Sequence, residues 1–216
     1  MKAIIFDCDG VLVNTEILSA RAYREVYARH GLTITSEMFL RMIGLKQADI
    51  LKQMRGIEGG LLPPEGDGEL TEMVLALIRE EVAATDGLVD FVQGVRVPFC
   101  VASSSDVPRI RLSLQTAGVI DLFEGRIFSS TMVSRGKPAP DLFLLAAREL
   151  DVAPEDCVVF EDSVAGITAA VAAGMVGIGY TGGGHLPPEQ ADRLRAAGAQ
   201  AVIGHWLEAP AVLANF

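Results

Sequence analysis

The chain has 216 residues, half of them hydrophobic and 21% charged, enough apolar material for one globular core carrying an insertion or for two small domains. Its formal net charge of −10 argues against nucleic acid or an anionic membrane as the main partner, yet leaves room for a small anion held in a local positive field. No apolar stretch of membrane-spanning length occurs, the first residues already read as a strand, and Cys8, Cys100 and Cys157 show no pairing pattern, so a soluble, cytoplasmic protein is expected.

The first predicted strand is Ala3–Phe6, the apolar start of KAIIFDCDGVLVNTE, and it stops at turn-forming Asp-Gly. Asp7 and Asp9 follow, one residue apart. Alternate side chains of an extended chain share a face, so the two carboxylates lie on one side roughly 7 Å apart while Cys8 points the other way. Like charges at that spacing repel unless a cation stands between them. A lone D-x-D is more often a polar strand end than a catalytic pair, and other clusters must decide.

Residues 15–85 read as a helical cap hinged at both ends. Helices are predicted over 16–30, 36–43, 46–55 and 69–84, with a mobile loop over the Gly- and Pro-rich stretch 56–68. Residues 1–14 and 86–216 then form a core, in which 87–98 holds only a trimmed helix. Further strands are predicted at 97–102, 126–128, 157–160, 175–180 and 201–203, separated by helices at 106–117, 139–150, 163–173 and 188–197. Continuous apolar strands alternating with helices predict an α/β, Rossmann-like three-layer core with a mostly parallel sheet covered on both faces.

In such a sheet ligands bind beyond the carboxyl ends of the strands. The polar clusters fall there. VASSSD (101–106) runs from a strand into a helix start with Asp106 as cap, a place where hydroxyls and free N–H groups receive phosphate, although alone it is more often a capping turn. RGKPAPD (135–141) holds Lys137 in front of two stiffening prolines; an exposed turn lysine is the ordinary alternative. VVFEDSVAGI (158–167) ends a strand in Glu161 and Asp162, with Ser163 capping the next helix. Together with Asp7 and Asp9 these make four carboxylates at one sheet edge, and all-oxygen ligands suit Mg²⁺. GYTGGGH (179–185) lacks dinucleotide-binding spacing; His185 could face the cleft, but a surface-loop histidine is the expected reading.

FDCDGVL, VASSS, GKPAPD and VFEDS occur in the order and spacing of the haloacid dehalogenase superfamily, and the chain resembles its helical-cap branch of β-phosphoglucomutases and sugar-phosphate phosphatases. The resemblance covers nearly the whole chain, more loosely in the cap. It implies Asp7 as the nucleophile that becomes an aspartyl phosphate, and Asp9 as the acid/base. Ser103 would bind the transferring phosphoryl group and Lys137 would neutralise it. Mg²⁺ would be held by Asp7, Asp162 and Asp9, the last through its backbone carbonyl, with Glu161 close behind. Thr15, Glu16, Ser104 and Lys46 (in the GLK of 44–46) would meet substrate. Asn14 stands where many relatives carry Asp, which is expected to change a hinge contact.

The function this implies is a Mg²⁺-dependent phosphatase acting on a small phosphorylated metabolite, a sugar phosphate or sugar-acid phosphate, as a monomer or weak homodimer. The alternatives are a phosphosugar mutase and, from another class, a phospho-acceptor signalling or binding protein. Receiver-type acceptors are shorter and lack an inserted cap. The mutases of this branch carry a histidine ten residues beyond the acid/base aspartate, where this chain has Ser19, a short side chain without comparable charge or reach.

Overall fold

A computed structural model describes residues 1–35, 38, 50, 54 and 62–216. The helices predicted at 36–43 and 46–55 lie almost wholly outside the described residues, and Lys46 lies outside them.

Six strands form one wholly parallel sheet in the order β3-β2-β1-β4-β5-β6. They are β1 (Ala3–Phe6), β2 (Phe99–Ser103), β3 (Ile127–Ser129), β4 (Cys157–Glu161), β5 (Val176–Tyr180) and β6 (Ala201–Ile203). The described helices are α1 (Thr15–Arg29), α2 (Pro64–Glu81), α3 (Leu88–Gly94), α4 (Val107–Thr116), α5 (Ile120–Phe123), α6 (Asp141–Glu149), α7 (Val164–Ala172), α8 (Gln190–Ala196) and α9 (Ala209–Leu213).

The period-2 rule for strands divides the core into two layers. Ile4, Phe6, Val101, Val158, Phe160 and Ile178 face one side, beneath α3, α4, α5 and Trp206, in a cluster that continues into α1 and α2. Ala3, Ile5, Cys100, Ala102, Cys157 and Val159 face the other, against Leu142 and Phe143 of α6 and Ala169 and Ala170 of α7. Both faces are dry, which is why the strands read as unbroken apolar runs. All three cysteines are buried free thiols.

Helix starts follow the predicted capping chemistry. Asp106 accepts from the Arg109 N–H at 2.8 Å and Ser163 from the Gly166 N–H at 2.9 Å. The helix predicted at 69–84 differs most, running over Pro64–Glu81. Residues 64–68 are helical rather than loop, because Pro64 sits in the first turn, where its missing N–H has no partner to lose. α3 is the short helix expected before β2. α5 and α9 were not anticipated; at four and five residues they are too short to show a period.

α1 packs along α2, and α2 also packs on α4. The two chain crossings that lead into and out of this helix pair run side by side. Val13 bridges Ala84, and Asn14 exchanges with Ala83, donating its N–H to the carbonyl at 3.1 Å and accepting the Ala83 N–H on Oδ1 at 2.8 Å. Thr85, just beyond, accepts from the Trp206 indole at 2.8 Å. The sheet reverses its winding between β1 and β4, so their carboxyl ends open the crevice where Asp7, Glu161 and Asp162 stand. No described helix is long and apolar enough to cross a membrane.

Candidate active site

Lys137 joins the clusters. Its side chain is 0% exposed, and its ammonium donates to Asp7 Oδ1 at 2.6 Å and to Glu161 Oε1 at 2.7 Å. Burial disfavours that charge, but Asp7 and then Glu161 outweigh it and hold the Lys137 pKa above its ordinary value. The second oxygen of Glu161 is also committed: Oε2 accepts from the N–H and hydroxyl of Ser163 at 2.7 and 2.9 Å. Glu161 is therefore the anchor of the lysine.

Asp162 is the opposite case. Both of its oxygens are buried and have no hydrogen-bond partner. Burial, with Glu161 next, raises its pKa well above its ordinary value; burial does the same to Asp7, where Lys137 opposes and the neighbouring acids add. Ligand atoms of Asp7, Glu161 and Asp162 all lie within 4.8 Å of one another. Unpaired oxygens on buried acids, with Lys137 the one lysine that pairs with them among the described residues, fit a divalent cation. With Glu161 spent on Lys137 and Ser163, Asp7 and Asp162 are the carboxylates that fit as ligands.

Asp9 faces a different set of groups. Its Oδ1 accepts from Thr15 at 2.7 Å and from Arg109 Nη2 at 3.3 Å, and its Oδ2 from Ser103 at 3.1 Å and Ser105 at 2.8 Å. Burial pushes its pKa up, but Arg109 and the hydroxyls outweigh it and set the carboxyl below its usual range. Ser104 sits in the same loop, where Ser130 binds its carbonyl at 2.7 Å.

One reading needs correction. His185 is not a surface histidine: its side chain is 2% exposed, and Nε2 lies 3.0 Å from Asp162 Oδ2 in a geometry that makes no hydrogen bond. Gly183 and Gly184 fold the loop back, and Gly10, at φ +78°, leaves the imidazole room; a Cβ there would lie 2.0 Å from Asp162 Oδ2 and 2.8 Å from the ring. Burial lowers the His185 pKa, so a neutral ring covers Asp162 without balancing its charge. Ser19 keeps the short reach expected of it, and it is met from α4, where Arg109 Nη2 donates to Ser19 Oγ at 3.2 Å.

Arg109 was not singled out from sequence. The available signal was a cation in the first turn of a helix, where the macrodipole disfavours positive charge.

Gly166 lies at the start of α7, and a Cβ there would fall 1.8 Å from Glu161 Oε1. Gly166→Ala must displace the acid that anchors Lys137. We expect a loss of kcat of about tenfold or more with a destabilisation of about 1–3 kcal/mol, the usual scale of overpacking. A variant with wild-type Tm and kcat would contradict the placement.

Glu16, in the first turn of α1, has a pKa raised to about 7 by burial and then by Asp9. A carboxyl raised on folding binds more protons folded than unfolded between its ordinary value and about 7, so stability falls as pH rises through that window. Glu16→Gln removes the effect. In metal-free buffer its Tm should exceed wild type at pH 8 and match it near pH 4; equal Tm differences at both values would refute the raised pKa of Glu16.

The family of haloacid dehalogenase-like hydrolases matches residues 1–174. A 6-phosphogluconate phosphatase of Escherichia coli is 31% identical over 178 residues, covering 81% of this chain and 80% of that one. A β-phosphoglucomutase of Bacillus subtilis is 31% identical over 192 residues, 83% of each chain. In structure, a conserved haloacid dehalogenase-like protein from Agrobacterium tumefaciens superimposes with a TM-score of 0.89 at 36% identity, covering 100% of this chain and 98% of that one. With acids at the ends of β1 and β4 joined through Lys137 in this same fold, the chain belongs to the haloacid dehalogenase-like hydrolases.

Proposed function

We propose that the protein is a Mg²⁺-dependent phosphatase of small phosphorylated carbohydrates that works through a phosphoryl group on Asp7. The observation that carries this reading is the buried Asp7–Lys137–Glu161 bridge beside the unpartnered Asp162. Phosphatases of phosphorylated sugars among the relatives support the substrate class.

A carboxylate that attacks a phosphate dianion needs nearby positive charge. Lys137, held protonated, supplies one such charge and fixes one oxygen of Asp7. Asp7 and Asp162 would hold the metal ion, which when bound supplies further charge neutralisation. Ser103 exchanges its bond to Asp9 for one to the phosphoryl oxygens. Asp9, ionised beside Arg109, gains a proton when the phosphate dianion arrives, because a second negative charge favours its neutral form. It gives that proton to the leaving oxygen, then as a carboxylate takes one from the water that cleaves the aspartyl phosphate. Thr15 orients it through both steps. We read residues 15–85 as a cap and 1–14 with 86–216 as the catalytic core; the paired crossings at Val13–Asn14 and Ala83–Ala84 give the hinge.

The test is release of inorganic phosphate from p-nitrophenyl phosphate and from a panel of sugar phosphates. Turnover should need Mg²⁺, stop with EDTA and fail with Ca²⁺, whose longer bonds and higher coordination number would misplace Asp7. Equal rates in EDTA would overturn the metal assignment. The β-phosphoglucomutase relative and the Arg109–Ser19 contact favour a second reading, transfer to a second hydroxyl. A sugar 1-phosphate given a trace of bisphosphate and converted wholly to the 6-phosphate, with no free phosphate, would establish that reading instead.

A further inference from the structure

Arg109 is only partly used by the groups described above. Both of its contacts, to Asp9 at 3.3 Å and Ser19 at 3.2 Å, come from Nη2, and both are long for charge-assisted hydrogen bonds. Its Nε is buried with no partner. A buried donor left unpaired costs about 1–3 kcal/mol, so a ligand that completes it gains on that scale. The guanidinium edge is a planar fork matched to an oxyanion.

Arg109 also lines a cleft. α2 and α4 face one another across about 390 Å³, with Val74 and Arg79 on one wall and Arg109 and Leu112 on the other. That volume suits a small metabolite. Asp106 lies in the same cleft, but an oxygen of its carboxylate caps the Arg109 N–H. Arg79 is exposed and forms no ion pair among the described residues. By contrast Arg21, Arg29, Arg111, Arg135, Arg148 and Arg195 each hold a carboxylate. On a protein of net charge −10, Arg79 without an ion pair among the described residues and Arg109 with a free Nε beyond its pair with Asp9 put two cations on one cleft, which favours an anion there.

We propose that Arg109, with Arg79 on the facing wall, receives a second oxyanion of the substrate, a carboxylate or a second phosphate, so that the enzyme selects phosphorylated metabolites bearing another negative group over those whose far end is neutral. The inference rests on the phosphatase reading for the scissile group and assigns the other end of the molecule. The apolar walls, Val74 and Leu112, would pack the carbon chain between the two ends.

The test uses three hexose-scaffold 6-phosphates: an aldonic acid, a 1,6-bisphosphate and a neutral alditol. Wild type should favour one or both charged compounds over the alditol in kcat/KM by about 10- to 100-fold, the scale of charge-assisted hydrogen bonds. Which compound is favoured identifies the oxyanion. Arg109→Gln should bring the ratio towards unity, and Arg79→Gln should lower it. Any general loss from disturbing Asp9 cancels in the ratio, and Arg79→Gln alters an exposed side chain that the fold does not need. The same three compounds are titrated calorimetrically into Asp7→Asn protein with and without each arginine change. An arginine-dependent binding preference with no phosphate release from any compound would retain this inference and overturn the phosphatase reading. Phosphate release without discrimination from the alditol, or a preference that survives both substitutions, would overturn the inference and leave the phosphatase reading intact.

Discussion

Asp7→Asn should fold like wild type and lose turnover by roughly 10⁴-fold or more, the scale seen when a covalent nucleophile is removed. The amide is close in size to the carboxylate and keeps an oxygen for Lys137, so the buried bridge loses a charge but not its packing. Tm should change little, because the crevice also loses one of its mutually repelling acids. Phosphate release with Mg²⁺ and thermal unfolding are measured on the same preparation. A variant that keeps more than about one hundredth of wild-type kcat would remove Asp7 from the nucleophile's role.

Lys137→Ala should damage both stability and catalysis, for separable reasons. The fully buried ammonium serves Asp7 and Glu161 together, and removing it leaves two buried acids without their cation. Breaking one member of such a set costs about 3–5 kcal/mol. Loss of a preorganised charge at the reacting phosphoryl group should lower kcat by about 10²- to 10³-fold. Adding Glu161→Gln to Lys137→Ala separates the effects. The second change removes one orphaned charge and should recover part of the Tm while kcat stays low. Recovery of both would make Lys137 structural; a KM effect with kcat kept would make it a binding residue.

Much of this arrangement was legible in the sequence because it depends on local signals. Ala3–Phe6 is too short and too apolar to be anything but a buried strand ending at Asp-Gly, and Asp106 and Ser163 announce helix starts by their capping chemistry. Parallel topology then carried Asp7, Ser103 and Glu161–Asp162 to one edge of the sheet, since all follow or end strands that point the same way. What escaped depends on contacts between distant residues. Arg109 meets Asp9 across 100 positions, and nothing in the helix that carries it specifies the direction of its side chain. His185 was hidden by its loop: three consecutive glycines suggest an exposed turn, yet here they let the chain fold back over Gly10 and bury the ring. Trp206 was not singled out from sequence, and only the fold sets its indole on Thr85 beside the crossing.

The most direct measurement is acid-quenched, intact-protein mass spectrometry during turnover of a sugar phosphate with Mg²⁺, followed by peptide mapping. A phosphoryl adduct on the peptide carrying Asp7 should form at least as fast as steady-state turnover, be labile to alkali, and be absent from Asp7→Asn protein. Turnover with the adduct on another residue, or with none formed on a time scale that resolves the first cycle, would contradict covalent catalysis by Asp7.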